Sequence, residues 1–459
     1  MEAWMEPTKN VYGRPWPPCV LIYKGDIISW HLKWPDLLEY GKYLIDKFVE
    51  ANERTKLLAE LDSQVKYLEN LFAEIDNLTL TELQNADLLE TYKQIYDAFV
   101  RWFVPGALVE PIGHKGERLI QEVLSSSGKT EKQQKEMLCL LTTTTKESFS
   151  KRELKDLLEI AIRKKKGDEI DHLLEQHMKK YFWLHNNYFS TEVLDTKFFE
   201  NEVKLILKKY PDPDIQIQKL ASEASVLKSR KAELLKKLNS SEFDANLIEL
   251  LDLFAWYQDY RKEYVMQILH YLDQILAEIG RRKNYTLKEM KYTLPEEIPK
   301  IFENSFDIDL VRERMKHYLF YFDGKGIEQG VGLWSLEKEK ELLKLSSHDA
   351  EIIEIKGMVA SKGYVKGKAR VTMSAEEAKT IQKGEILITS MTSPDFVTAI
   401  KRAAAIVTNE GGILCHAAVV SREFDIPCIV GTRLATKVFK TGDLIEVDGE
   451  LGVIRRVFE

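Results

Sequence analysis

The chain has 459 residues, too many for one ordinary hydrophobic core, so two or three domains are expected. Hydrophobic residues at 44% and charged residues at 30% describe a globular protein, and a formal net charge of −7 gives no reason to expect a nucleic-acid partner. No apolar run approaches a membrane span, the opening MEAWMEPTKN lacks a signal-peptide core, and the four cysteines form neither a CxxC pair nor a disulfide framework, so a cytoplasmic location is expected by default.

A Pro-rich entry, Pro15 to Pro18, leads into a hairpin pattern: Cys19 to Tyr23, a turn at Lys24-Gly25-Asp26, then Ile27 to Trp30. From Pro35 to Phe103 apolar residues recur at helical spacing, as in Leu57, Leu61, Val65 and Leu68. Pro105-Gly106 and Pro111-Ile112-Gly113 interrupt this with turns. A further helix, Lys151 to Lys166, ends in a basic run closed by Gly167. Cations in a last turn with glycine just beyond are the standard helix ending, and a phosphate site is the alternative. Residues 1–168 therefore read as an N-terminal helical region with a β-hairpin.

Residues 169–345 read as a second helical block and as the candidate substrate-binding region. Ile217, Leu220, Ala224, Leu227, Leu234 and Leu238 sit near heptad spacing, which suits a helical hairpin with Lys231 in its seam. Tyr318 to Phe322 and Ile327 to Leu333 flank Asp323-Gly324-Lys325-Gly326, a second hairpin signal. Two stretches, His177 to Tyr188 and Trp256 to Tyr264, mix aromatic rings with amides, histidines and arginine, a composition that lines pockets for small polar or aromatic compounds. His177, Tyr181, Trp183, Trp256 and Arg261 are the candidate binding residues; helix–helix core is the alternative. His177, Tyr181 and His185 share a helix face, but no carboxylate matches their spacing, and no metal site is expected.

Composition changes near residues 346–356, which we take as a linker. Residues 357–459 hold ten of the 23 glycines and none of the eight tryptophans. Gly357 to Val371 alternates as a twisted strand pair; Lys383-Gly384-Glu385 leads into a strand, Ile386 to Thr389, and Met391 to Asp395 forms a loop. Ala403 to Val407 reads as a buried strand, which Thr408, Asn409, Glu410 and Gly411-Gly412 break into a loop. Cys415-His416-Ala417-Ala418 then opens a helix that ends before Ile426-Pro427. One imidazole thus stands at the start of a helix, behind a glycine loop. Backbone N–H groups and the helix dipole favour an anion there, and neutral imidazole is a nucleophile near neutral pH. The pattern points to a histidine that accepts a phosphoryl group, with an ordinary core histidine as the alternative.

In Thr408, Gly411, Gly412, His416, Ala417, Ala418, Arg422, Glu423, Pro427 and Gly431, with Thr392, Pro394 and Asp395 before them, the segment resembles the phosphohistidine swivelling domain. That domain occurs in phosphoenolpyruvate synthase, pyruvate phosphate dikinase, enzyme I of the sugar phosphotransferase system and rifampicin phosphotransferase. The chain departs from the pattern at Leu414, where many dikinases carry threonine, and at Lys362, where proline is common. The resemblance implies a multidomain α plus β/β/α protein: a mostly α-helical N-terminal region with short β-hairpins, then a C-terminal β/β/α swivelling domain at 357–459. It implies His416 as nucleophile and carrier, with Thr392, Thr408, Gly411 and Gly412 binding phosphate and Arg422 neutralising charge or pinning the loop. No ATP-grasp pattern and no phosphoenolpyruvate-binding barrel is legible in the rest of the chain. The implied role is the phosphotransfer component of a split dikinase-like or phosphoenolpyruvate-synthase-like enzyme, its ATP and Mg²⁺ held by an ATP-grasp partner subunit and its acceptor a small molecule. A phosphocarrier serving another protein, and a non-catalytic binding or regulatory relative, are the alternatives.

Overall fold

The computed structural model describes residues 11–25, 27–188, 190–303, 305–343, 354–412, 415–432 and 434–457. Among them no helix is long and apolar enough to cross a membrane. The protein is mostly helical, with helices in the N-terminal part and a sheet in the C-terminal part. It folds into two compact units, one within the spans Met1–Leu44, Asn52–Pro111 and Tyr264–Asp349, the other within Ile45–Ala51, Ile112–Glu263 and Ala350–Glu459.

In the first unit the helix Ala51–Asp76 buries Leu57, Leu61 and Leu68 on one face, as their spacing predicts. Phe72 of that helix stacks on Tyr271 with ring centroids 4.6 Å apart, and the Tyr271 hydroxyl donates to Asp76 Oδ2 at 3.1 Å. The two hairpins form as the turn residues require: β1 (Cys19–Lys24) with β2 (Ile27–Leu32), and β3 (Tyr318–Phe322) with β4 (Ile327–Val331). They then join, β1 against β3, into one antiparallel sheet of order β2-β1-β3-β4, with Val20, Ile22 and Leu319 packed together. His317, just before β3, contacts Ser335 Oγ through Nδ1 at 2.7 Å and Glu339 Oε2 through Nε2 at 2.8 Å, while Lys24 Nζ donates to Glu339 Oε1 at 2.7 Å. Ser335 is fully buried and its hydroxyl donates to the Gly332 carbonyl at 2.8 Å, so this Ser-His-Glu set fastens the sheet to its helix and presents no nucleophile.

The second unit begins as a helical platform: Glu131–Thr142, Phe149–Lys165, Asp171–Tyr181, Thr196–Lys209, Pro213–Lys237 and the helix Glu242–Lys283 as far as Glu263. Side-chain caps start several of them. Thr130 and Gln133 form a capping box, Ser148 Oγ accepts from Lys151 N at 3.2 Å, and Asp195 accepts from Phe198 N at 2.8 Å. The basic run after Ile162 ends its helix, with Lys166 N donating to Ile162 O and Gly167 at φ +87°. Helix Pro213–Lys237 differs from the heptad expectation. Of the seam only Lys231 and Leu234 are buried, and Lys231 is inside because its ammonium meets Asp252 Oδ1 at 2.6 Å. Asp252 also accepts from Thr145 N at 2.9 Å and Thr145 Oγ1 at 3.0 Å.

The remaining strands build one eight-stranded sheet in the order β5-β12-β11-β7-β8-β9-β10-β6. They are β5 (Glu354–Lys356), β6 (Met358–Ser361), β7 (Tyr364–Val371), β8 (Ile386–Thr389), β9 (Ala405–Thr408), β10 (Cys428–Val430), β11 (Leu444–Asp448) and β12 (Val453–Arg456). The central strands β7, β8, β9 and β10 run parallel, and the outer ones pair antiparallel. Alternation sends Leu387 and Ile406 to the face covered by the helix His416–Glu423, and Ile386, Ile388, Ala405 and Val407 to the opposite core. The Gly357 to Val371 segment corrects the sequence expectation of a strand pair. β6 pairs with β10 whereas β7 lies between β11 and β8, so the two separate instead of forming a hairpin. Gly449 reaches the backbone of the turn between them, its N–H donating to Gly363 O at 2.8 Å. Residues 346–353 of the expected linker lie outside the described residues, and 354–356 form β5, paired with β12.

Asp252 holds a buried ammonium and two donors from one loop, so Asp252→Ala should destabilise the protein by roughly 3 kcal/mol in urea unfolding, because Lys231 would stay buried without a counter-charge. Lys231→Met, which removes the charge and keeps the stem, should cost clearly less.

Candidate functional site

The glycine loop is shaped by close approach. Gly411 has φ +98°, a region costly for any other residue, and a Cβ there would lie 2.7 Å from Cys415 Sγ. At Gly412 a Cβ would meet the His114 ring at 3.1 Å, so the helix Val109–Ser125 packs directly on the loop. Cys415 N donates to Gly412 O at 3.0 Å and, in extended conformation, hands the chain to a helix whose first residue is His416. Ala417 and Ala418, both fully buried, let that helix lie close to the sheet.

His416 is 1% exposed. Its Nδ1 lies 2.9 Å from Thr392 Oγ1, and its Nε2 is enclosed with no hydrogen-bond partner among the described residues. The Phe149 ring lies nearly parallel to the imidazole, centroids 6.4 Å apart, and meets Trp183 edge-on at 5.2 Å. Burial first, and then the charge of Lys262, hold the His416 pKa well below its ordinary value. The ring is therefore neutral at pH 7, and a proton on Nδ1 toward Thr392 would leave a lone pair on Nε2. Lys262 Nζ donates to the Thr392 carbonyl at 3.3 Å, tying the platform to the loop that holds the histidine. Asp395, in the turn Pro394–Phe396, accepts from Ser393 Oγ, and burial pushes its carboxyl up to about 6.

The other sequence candidates divide. Thr392 touches the imidazole, and Gly411 and Gly412 form the loop before it. The Thr408 hydroxyl donates to Glu410 O at 2.7 Å, and its carbonyl accepts from Thr432 N and Oγ1, so this side chain shapes the loop instead of facing the ring. Arg422 donates from Nε to Ala360 O at 2.9 Å and from Nη1 to Thr143 Oγ1 at 3.1 Å, engaging β6 and the platform. His177, Tyr181 and Trp183 are buried in aromatic packing: His177 lies 4.6 Å from the Tyr181 ring and 4.7 Å from Phe199, and Tyr181 donates to Asp156 Oδ2 at 2.9 Å. Trp256 stacks on Tyr260 at 4.5 Å and carries the Lys146 ammonium over its face, while Arg261 donates to Gln258 Oε1 at 2.9 Å. Of these five, Trp183 stands one ring from His416. Among the described residues no cluster of three or more His, Cys, Asp or Glu has the geometry to hold a metal ion.

Sequence reasoning did not name Phe149, and it reached Lys262 only as part of the stretch Trp256 to Tyr264. The available signal for Lys262 was charge: Asp259, Arg261, Lys262 and Glu263 cluster within two turns of one long helix, and all four are buried.

Comparison with known proteins agrees with the C-terminal assignment. Residues 381–452 match the family described as PEP-utilising enzyme, mobile domain. The chain is 49% identical over 130 residues to the "Probable phosphoenolpyruvate synthase" of Archaeoglobus fulgidus, covering 28% of this chain and 17% of that protein. It is 53% identical over 106 residues to the phosphoenolpyruvate synthase of Pyrococcus furiosus, covering 23% and 13%. The chain thus spans less than a fifth of the length of these relatives. Among solved structures, Thermococcus kodakaraensis aconitase X matches 23% of this chain and 98% of its own, with a TM-score of 0.19 and 20% identity.

Gly411→Ala is expected to lower stability by about 2 kcal/mol or more, since it adds a collision with Cys415 to an unfavourable φ. Gly384→Ala, with φ +94° but open space around the new methyl, should cost roughly 1 kcal/mol, and urea unfolding of the two variants separates packing from backbone strain.

Proposed function

We propose, from the mobile domain of PEP-utilising enzymes that residues 381–452 match, that this chain is the phosphotransfer component of a dikinase-like enzyme and carries a phosphoryl group on His416. The observation that carries this reading is the neutral, enclosed imidazole, with Nδ1 engaged by Thr392 and Nε2 left for chemistry. In the charging step the Nε2 lone pair bonds to the phosphorus of a donor, and the donor's leaving oxygen departs with the bonding pair. In the delivery step an acceptor oxygen attacks the same phosphorus and Nε2 takes its pair back. Thr392 at Nδ1 supports the positive charge that develops on the ring in the first step. Backbone N–H groups at the start of the helix and the charge of Lys262 favour the phosphoryl oxygens.

An imidazole enclosed by Phe149 and the platform cannot meet a donor held elsewhere, so the reading requires residues 357–459 to swing off the platform. Besides the ring contact with Phe149, the links that would break include Arg422 to Thr143, His185 Nε2 to Thr398 Oγ1 at 3.2 Å, and the ion pairs Lys362–Glu136 and Lys132–Glu450. The two ion pairs are exposed, and pairs of this kind hold little energy and reform readily in water. The donor, ATP with Mg²⁺, belongs in this reading to a separate ATP-grasp subunit, and the acceptor is a small molecule bound by the helical platform.

The test is phosphate labelling. Protein incubated with ATP, Mg²⁺ and an ATP-grasp partner should acquire acid-labile, base-stable phosphate that disappears in His416→Ala. Label that survives this substitution, or resists acid, would reject the carrier, and self-labelling of pure protein would reject the split arrangement. Lys262→Met should raise the His416 pKa toward its ordinary value and slow delivery of the label to acceptor about 100-fold, read by single-turnover kinetics.

A further inference from the structure

We propose that Asp259 and Glu423 form a protonation-dependent latch that holds the histidine-bearing sheet on the helical platform and releases it as pH rises. The inference concerns regulation of the site proposed above and rests on its moving domain. The geometry is a convergence of two acids on one helix end. Asp259, 1% exposed on the helix Glu242–Lys283, accepts from Phe149 N through Oδ2 at 2.9 Å, and its Oδ1 is enclosed with no hydrogen-bond partner among the described residues. Glu423 is the last residue of the helix that begins at His416. As a residue it is half-buried, but its Oε2 is likewise enclosed and unpartnered among the described residues, while the Ser148 hydroxyl bonds its carboxylate. Ser148 and Phe149 are the cap and first residue of the helix Phe149–Lys165. One acid comes from the platform, the other from the sheet unit, and both lean on the same N-terminus.

The nearby cations Lys151, Arg422 and Lys262 offset the two negative charges only in part, and burial outweighs them. Lys151 pairs with Glu223 at 3.1 Å, Arg152 with Glu263, and Arg422 is engaged by Ala360 O and Thr143. Lys262 lies on the same helix as Asp259 and offsets one charge at most. Two enclosed carboxylates that feel each other hold a proton that neither would keep in water. Burial pushes Glu423 up to about 7, and burial with the charge of Glu423 raises Asp259 well above the ordinary carboxylate range.

Released from the platform, both groups regain water and return to about 4. The docked state then binds more protons than the released state, so docking is strongest below the ordinary carboxylate range and weakens as pH rises. The loss is about tenfold in the docking equilibrium per pH unit for each proton, from about pH 4 until the docked value of Glu423 near 7 is passed. On opening, the proton leaves to solvent.

The experiment is hydrogen exchange on the full-length protein from pH 5 to 8, following amides of 149–152 and 416–423 and dividing each rate by its intrinsic rate at that pH. Protection should fall up to tenfold per unit toward pH 7 and level off above it. Glu423→Gln and Asp259→Asn, each an isostere of the protonated acid, should flatten the slope and keep the segments protected at pH 8. A flat wild-type profile, or a slope that persists unchanged in both variants, overturns the latch. Because exchange needs no phosphoryl donor, a flat profile in protein that still labels on His416 rejects the latch alone, and a slope lost in the variants of protein that never labels rejects the carrier alone.

Discussion

An imidazole shut away from water must remain uncharged, and much of the surrounding structure follows from keeping His416 that way. Charging a ring enclosed by Phe149, near the Lys262 ammonium, would place two cations in a poorly solvated space. Neutrality frees a lone pair on one ring nitrogen, and the hydroxyl of Thr392 engages the other side of the ring at Nδ1. The small residues serve the same end. Gly411 lets the loop fold back on Cys415, and Ala417 and Ala418 let the helix settle on the sheet, which brings the imidazole to its fixed depth.

The contact between sheet and platform combines an apolar centre with polar fastenings. Phe149, backed by Trp183, provides the surface on which the imidazole rests, while Arg422, His185 and several exposed ion pairs surround it. Such a margin favours register over strength, because each exposed pair contributes at most about 1 kcal/mol. Strength at this boundary resides in the enclosed groups, which is why the protonation state of Asp259 and Glu423 matters more than the number of surface pairs.

Local physics made much of the C-terminal region readable in advance. The turn Lys383-Gly384-Glu385 ahead of the apolar run marked Ile386–Thr389 as a strand, and the glycine loop followed by small residues marked the helix start at His416. The hairpins Cys19–Lys24/Ile27–Leu32 and Tyr318–Phe322/Ile327–Val331 were legible from their turns, yet their union in one sheet was not, since β1 to β3 pairing is decided by tertiary packing between segments far apart in sequence. The same limit hid Phe149 and Lys262, whose helical spacing says that a face is buried but not what it is buried against. Lys231 at an apolar seam position became intelligible only with Asp252 in view. Arg422 fits the motif, but its guanidinium is directed by the carbonyl of Ala360 and the hydroxyl of Thr143, partners that no spacing rule identifies.

The most direct test of the central claim is to observe the His416 ring itself. Long-range ¹H–¹⁵N spectra of protein labelled with ¹⁵N in its nine histidines, assigned by comparison with His416→Ala, report the protonation of each ring nitrogen. The account predicts a neutral His416 ring with hydrogen on Nδ1 and none on Nε2, unchanged down to pH 6.5. A ring already charged there, or a proton fixed on Nε2, would contradict it.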